Sequence, residues 1–191
     1  MKTKILLFSL LIILATTGST CINDGFLVSV NLPINPCFQI NGVTNTNFNV
    51  VDSAIVLAQL IDPSYQDNVT NARYYDIRIS VLGAYSGNVS GSVYIQYLNS
   101  GPQLLLTYSG SWSDFVTAQS LLGGSTHISS ASQQGQPYPG VGKLLDALRA
   151  MPTAPGTKLT FSSIGTLSQI PVPNGLSVCV EILAQVDAKV Q

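Results

Sequence analysis

Three cysteines, one histidine and nine carboxylates are the residues of this 191-residue chain best suited to redox, metal or acid–base work. Cys21, Cys37 and Cys179 form an odd set. In an oxidising compartment Cys37 and Cys179 can pair and close a loop of more than 140 residues. Such a bridge stabilises by roughly 4–5 kcal/mol in the chain-entropy picture, provided the two residues meet in the fold. Cys21 is then left over. It stands directly behind a leader-like segment, so cleavage before it would leave an N-terminal cysteine able to carry lipid. The lipoprotein pattern asks for an aliphatic residue three places earlier and a small residue just before, where this chain has Gly18 and Thr20. The other reading is cleavage nearby, with Cys21 free or paired between chains.

The patterns of catalysis are not met. His127 lies in a polar stretch and has no partner at metal-ligand spacing. No serine occupies a Gly-x-Ser-x-Gly elbow. A cysteine nucleophile would need a reduced thiol beside a histidine base, and nothing brings His127 to Cys37 or Cys179. Glycoside cleavage needs two flanking carboxylates, and Asp76, Asp114 and Glu181 are isolated acids. Asp62 and Asp67 share a turn, which makes calcium the one metal to consider there. Glu181 with Lys158 is the only conceivable component of an internal isopeptide bond, and their spacing does not argue for one. The expectation is therefore no catalytic residue, no resident metal and no cofactor. Two glycosylation sequons remain, Asn68-Val69-Thr70 and Asn88-Val89-Ser90, each in a turn where a transferase can reach the amide.

The N-terminus decides the compartment. Lys2 and Lys4 precede an apolar run from Ile5 to Ala15, and small polar residues follow up to Thr20. This is the layout of a secretory signal peptide over residues 1–20. The run is too short for a bilayer, which needs roughly 20 apolar residues. Residues 21–191 then form a single exported domain, long enough to bury a sizeable core. No other stretch reaches spanning length, and the chain ends without an anchor signal.

Charge is scarce: 9% of residues are Asp, Glu, Lys or Arg, against roughly 25% in ordinary soluble domains. Glu181 is the only glutamate. Nucleic acid is excluded as an expected partner, because there is no basic patch to displace counterions. Weak repulsion favours self-association or contact with other cell-surface components.

The elements that must position these residues read mostly as strands. Phe26 to Leu32 alternates and stops at Pro33. Cys37–Ile40, Asn41-Gly42 and Val43–Val50 have the form of a tight type I′ hairpin. Residues 53–61 are ambiguous between helix and strand, and Asp62-Pro63 ends them. Tyr75–Val81, Ser92–Tyr97 and Gln103–Tyr108 alternate and predict a three-stranded meander. Trp112–Leu122 predicts a short helix capped by Ser113, and residues 123–140 predict a long polar loop. Val141, Leu144, Leu145, Leu148 and Met151 share a helical face suited to covering a sheet, with Pro152 closing it. A strand near Lys158–Phe161 precedes the cleanest pattern of all, Leu176 to Val190. Fifteen residues at about 3.3 Å each span roughly 50 Å, longer than most strands. Such a strand either bends across a whole sheet or reaches into another subunit.

The fold class follows: mainly β, an antiparallel β-sandwich or partly closed barrel with one or two short helices. The functional expectation is a non-catalytic extracellular or cell-surface structural or adhesive domain. It would assemble into a pilus-like filament by strand addition, donating either residues 23–32 or the C-terminal strand. The alternative is a lipoprotein binding module for carbohydrate or lipid, held by Cys21. Tyr74, Tyr94, Tyr108, Trp112 and Tyr138 would supply its stacking surfaces, unless they are core.

Overall fold

The computed structural model describes residues 26–41, 46–52, 54–98, 100–121, 126–127, 139–170 and 172–190. The strands in chain order are β1 (Phe26–Ile34), β2 (Cys37–Ile40), β3 (Asn47–Val51), β4 (Ile55–Val56), β5 (Val69–Leu82), β6 (Asn88–Tyr97), β7 (Gln103–Ser111), β8 (Thr126–His127), β9 (Lys158–Leu167) and β10 (Leu176–Val190). The helices are α1 (Pro63–Gln66), α2 (Trp112–Leu121) and α3 (Pro139–Arg149).

Two antiparallel sheets face one another. The first runs β1-β10-β5-β8, with β2 also on β10, and the second runs β3-β9-β6-β7, with β4 also on β9. β1 and β2 lie end to end on the same side of β10, since Ile34 opposes Ile182 and Cys37 opposes Cys179. They act as one strand interrupted at Asn35-Pro36. β3 and β4 share β9 in the same way. Counted so, the described residues form eight strands that alternate between the sheets except at β6 and β7, which are consecutive and paired. This double-sheet order is a jelly roll.

The core is the space between the sheets. Alternate residues of β10 from Leu176 to Ala188 are buried, and those up to Val186 share one cluster with Phe38 and Ile40 of β2, Phe161 of β9 and Ile95 of β6. β10 is the central strand, with β1 and β2 on one side and β5 on the other. Its length is taken up by irregularities of pairing with β5 at Leu183/Ala184 and Asp187/Ala188. The extra residues, Tyr75 and Thr70, are on β5, so the bulges bend and twist β5 along its pairing with β10. At the second bulge the Thr70 hydroxyl donates to the Asp187 carbonyl at 3.0 Å. The C-terminal segment thus lies within the first sheet, paired on both sides.

Three other expectations are corrected. The Asn41-Gly42 hairpin does not form, because β2 belongs to the first sheet and β3 to the second. Asn41 instead accepts the Gly175 amide on its side-chain oxygen at 2.9 Å. The meander shrinks to the β6–β7 hairpin, since β5 pairs with β10 in the opposite sheet. Within the polar stretch after α2, Thr126 and His127 form a strand on Ile79 and Arg78 of β5. The remainder of that stretch lies outside the described residues, except that Pro139 and Gly140 already belong to α3.

The helices fill flanks. α2 starts at Trp112, one residue before its expected cap Ser113, whose hydroxyl instead bonds that of Ser111 at 2.6 Å. α3 buries Val141, Leu144, Ala147 and Leu148 and touches β5, β6 and β7, so it closes the gap between sheets instead of lying on one. Within the ambiguous segment, the described residues 54–61 contain β4 and a 3-10 turn at Leu57–Gln59.

Candidate functional site: two open edges and an end cleft

Cys37 and Cys179 are bonded across the β2–β10 pair, with Cα atoms 4.1 Å apart and a sequence separation of 142. Cys21 and residues 1–20 lie outside the described residues. The disulfide sits where β1 and β2 hand over along β10, so it clamps the interrupted strand at its break.

Further along β10, side chains on the outer face tie β1 inward. Asp187 accepts the Ser29 hydroxyl at 2.7 Å and both terminal nitrogens of Arg73 at 3.1 Å. Arg73 also donates to the Gln185 side-chain oxygen, and Gln185 donates to Asn31 at 2.9 Å. The relay crosses three strands, β5, β10 and β1. Glu181 faces Arg78 at 3.9 Å, and Lys158 belongs to the other sheet, so the imagined Glu181–Lys158 pair is not formed.

The second sheet's outer face has no such network; the charge among its described strand residues is Lys158, exposed at the start of β9. Its register sets Asn47, Thr166, Ser90 and Ser109 in one row and Asn49, Ile164, Ser92 and Thr107 in the next. Ser90 and Thr166 bond hydroxyl to hydroxyl at 2.9 Å. Val51 and Ile164 are exposed apolar members of this face.

Both sheets end in edges of the same character. β1 ends the first sheet, and β7 ends the second. Between Phe26 and Leu32 there is no charge and no proline, and β7 has neither along its whole length. Natural edges are usually blunted by just such residues. Phe26 and Leu27 are 77% and 66% exposed at the start of β1. The two edges lie on opposite flanks: β2 packs beside β3 on one, while α2 touches both β7 and β8 on the other.

At the end of the sandwich where β10 begins, the β5–β6 and β9–β10 connections border an open cleft of about 490 Å³ lined by Ala84, Tyr85, Ser86, Gln169, Ile170 and Pro173. Trp112 anchors it, donating its indole N–H to the Gly83 carbonyl at 2.9 Å and its backbone N–H to Gly87 at 3.0 Å. Tyr85 stands edge-on to Trp112 at 5.6 Å, and its hydroxyl takes the Gln169 amide at 2.8 Å. Sequence reasoning did not find this cleft, because its two connections are more than 80 residues apart and carry no motif.

The remaining sequence-marked residues are dispersed. Asp62 caps α1, accepting the Ser64 hydroxyl at 2.7 Å and backbone N–H at 2.9 Å, which holds its carboxyl below the usual range. Asp67 ends that helix and Asp114 opens α2, both exposed. The described residues contain no group of three His, Cys, Asp or Glu side chains arranged for a metal. Asn68 leads into β5 and Asn88 opens β6, at opposite ends of the sandwich, since Asn68 accepts from Lys189 whereas Asn88 exchanges bonds with Ser168. Tyr108 and Trp112 are core residues and Tyr94 is half-buried, so they form no common stacking surface. Tyr138 and the side chains of Tyr74, Asp76 and His127 lie outside what is described. Among the described residues no helix is long and apolar enough to cross a membrane.

No family model and no curated protein matches the chain. A solved structure titled Desmodium yellow mottle tymovirus is similar at a TM-score of 0.32 and 9% identity, over 87% of this chain and 90% of that one.

Proposed function

We propose that this chain is a non-catalytic, exported structural subunit of the cell surface that builds a pilus-like filament by pairing sheet edges. β1 of one copy adds to β7 of the next. The observation that carries this reading is the pair of uncharged open edges, β1 and β7, on opposite flanks of one molecule. An edge that meets a different edge makes a heterologous contact, and repetition of such a contact gives an open filament unless rotation closes it. Backbone hydrogen bonds supply the affinity, and side chains on alternate faces supply the register. The outer face of the second sheet carries little charge, with Lys158 at one end of β9, so copies approach with little repulsion. Residues 1–20 direct export in this proposal, Asn68 and Asn88 accept glycans where the host has the transferase, and Cys21 is the alternative anchor point through lipid.

Negative-stain electron microscopy and light scattering test it. Wild-type protein forms linear particles as concentration rises. Leu27→Lys and Ser109→Lys each block one edge and give monomers, because a charge on an edge opposes pairing. A mixture of the two variants stops at dimers, since each retains the edge the other lacks. Monomeric wild-type protein at high concentration overturns the proposal. Mass spectrometry of the mature N-terminal peptide separates lipid on Cys21 from simple cleavage.

A further inference from the structure

The end cleft carries a second role that is independent of assembly. We propose that the space between Tyr85 and Ile170 is a binding site for a neutral saccharide. Its volume, about 490 Å³, lies within the range of small-molecule sites and suits about one or two sugar rings. None of the described residues that line it is charged, so a nucleotide, a phosphate or an acidic sugar gains no counterion from them. The lining mixes apolar surface from Ala84, Ile170 and Pro173 with the Ser86 hydroxyl and the Gln169 amide. A sugar ring has the same duality, a C–H face bordered by hydroxyls. An acyl chain needs a closed apolar slot, and the polar Ser86 and Gln169 at this cleft do not provide one.

The site is also held in shape before any ligand arrives. Tyr85 is fixed at both ends. Its ring packs nearly perpendicular to that of buried Trp112, and its hydroxyl bonds the Gln169 backbone amide at 2.8 Å and carbonyl at 3.3 Å. Ser86 reaches the Gln169 side-chain oxygen at 3.3 Å, which brings that amide into the cleft wall. Close approach of the backbones at Gly83 and Gly175 sets the spacing of the two connections, since a Cβ at Gly83 would lie 2.7 Å from the Gly175 carbonyl oxygen. Preorganisation of this kind lowers the ordering cost of binding. Ile170 stands 55% exposed at the rim, as an apolar contact for the ring face.

Trp112 is the only tryptophan in the chain and reports on Tyr85 directly. The test is a glycan array of neutral and acidic oligosaccharides, followed by fluorescence titration of the hits, on protein made in a host without N-glycosylation. Neutral oligosaccharides bind and change the Trp112 emission. Ile170→Asp and Gln169→Ala, both at exposed positions, each weaken binding at least tenfold while the thermal transition stays in place. Tyr85→Phe keeps the ring, loses the anchor to Gln169 and weakens binding less than Tyr85→Ala. Absence of any neutral hit, preference for acidic glycans, preference for phosphatidylcholine vesicles, or binding indifferent to Ile170→Asp and Gln169→Ala overturns the proposal. Filament formation by Ile170→Asp stays as in the wild type, which keeps this site separable from the edges.

Discussion

Arg73 reaches Asp187 at 3.1 Å, and the same carboxylate takes the Ser29 hydroxyl at 2.7 Å, so one acid joins three strands across the outer face of the first sheet. Asp187 is the more enclosed partner, with 17% of its side chain exposed against 45% for Arg73. Asp187→Ala removes the shared acceptor and is expected to cost about 1–2 kcal/mol, because charged hydrogen bonds are lost from a partly screened site. Asp146→Ala, which breaks the exposed Asp146–Arg149 pair at 3.7 Å, stays within about 0.5 kcal/mol. Urea denaturation gives both values. Hydrogen exchange should show β1 amides opening faster in Asp187→Ala alone.

The disulfide closes a 142-residue separation and is expected to act on the unfolded chain as much as on the native one. The double change Cys37→Ala with Cys179→Ala lowers stability by about 3–5 kcal/mol and raises the urea m-value, because the freed denatured chain exposes more surface. An unchanged midpoint would show that the bridge adds nothing to stability.

Two glycines should respond with opposite signs. Gly83 has φ +94°, and an added Cβ would meet the Gly175 carbonyl oxygen at 2.7 Å. Gly83→Ala is therefore expected to cost about 2–3 kcal/mol, combining strain with a backbone clash. Gly142 lies in α3 with nothing within 4 Å of an added Cβ. Gly142→Ala gains about 0.5–1 kcal/mol from helix propensity. Thermal melts of the two variants should move in opposite directions.

Tyr108 is buried against Ser163, 3.0 Å away, and burial pushes its phenol up to about 12 while the Ser163 bond pulls the other way. The folded value exceeds the unfolded value of 10.0, so the stabilisation is complete below pH 10 and is lost as pH rises toward 12. The loss amounts to about 2–3 kcal/mol over that window. Tyr108→Phe should flatten this part of the stability profile and cost about 1 kcal/mol at neutral pH, because the buried Ser163 hydroxyl loses its partner. Phenolate absorbance and urea midpoints across alkaline pH check both statements.

Residues 176–190 show how far pattern alone reaches. Their period of two set the strand, its bounds and its buried face, and β10 matches in all three. The α3 face and the β6–β7 hairpin were equally legible, since each depends on neighbours close in sequence. Asn41-Gly42 shows the limit. It carries the turn chemistry of a hairpin, yet its flanking strands go to β10 and β9, more than 100 residues away. The pairing of Cys37 with Cys179 was an expectation conditional on the two residues meeting, and their position opposite in register came only with the fold.

The amino-acid order alone therefore determined local conformation, the identity of the apolar face and the sparse charge. Tertiary structure decided which strand lies beside which, which edges stay open and where the cleft forms. The physical reason is that every strand of a jelly roll turns an apolar face to the same core, so alternation says that a face is buried without saying against whom. That choice is made by backbone pairing and side-chain packing between segments far apart in the chain.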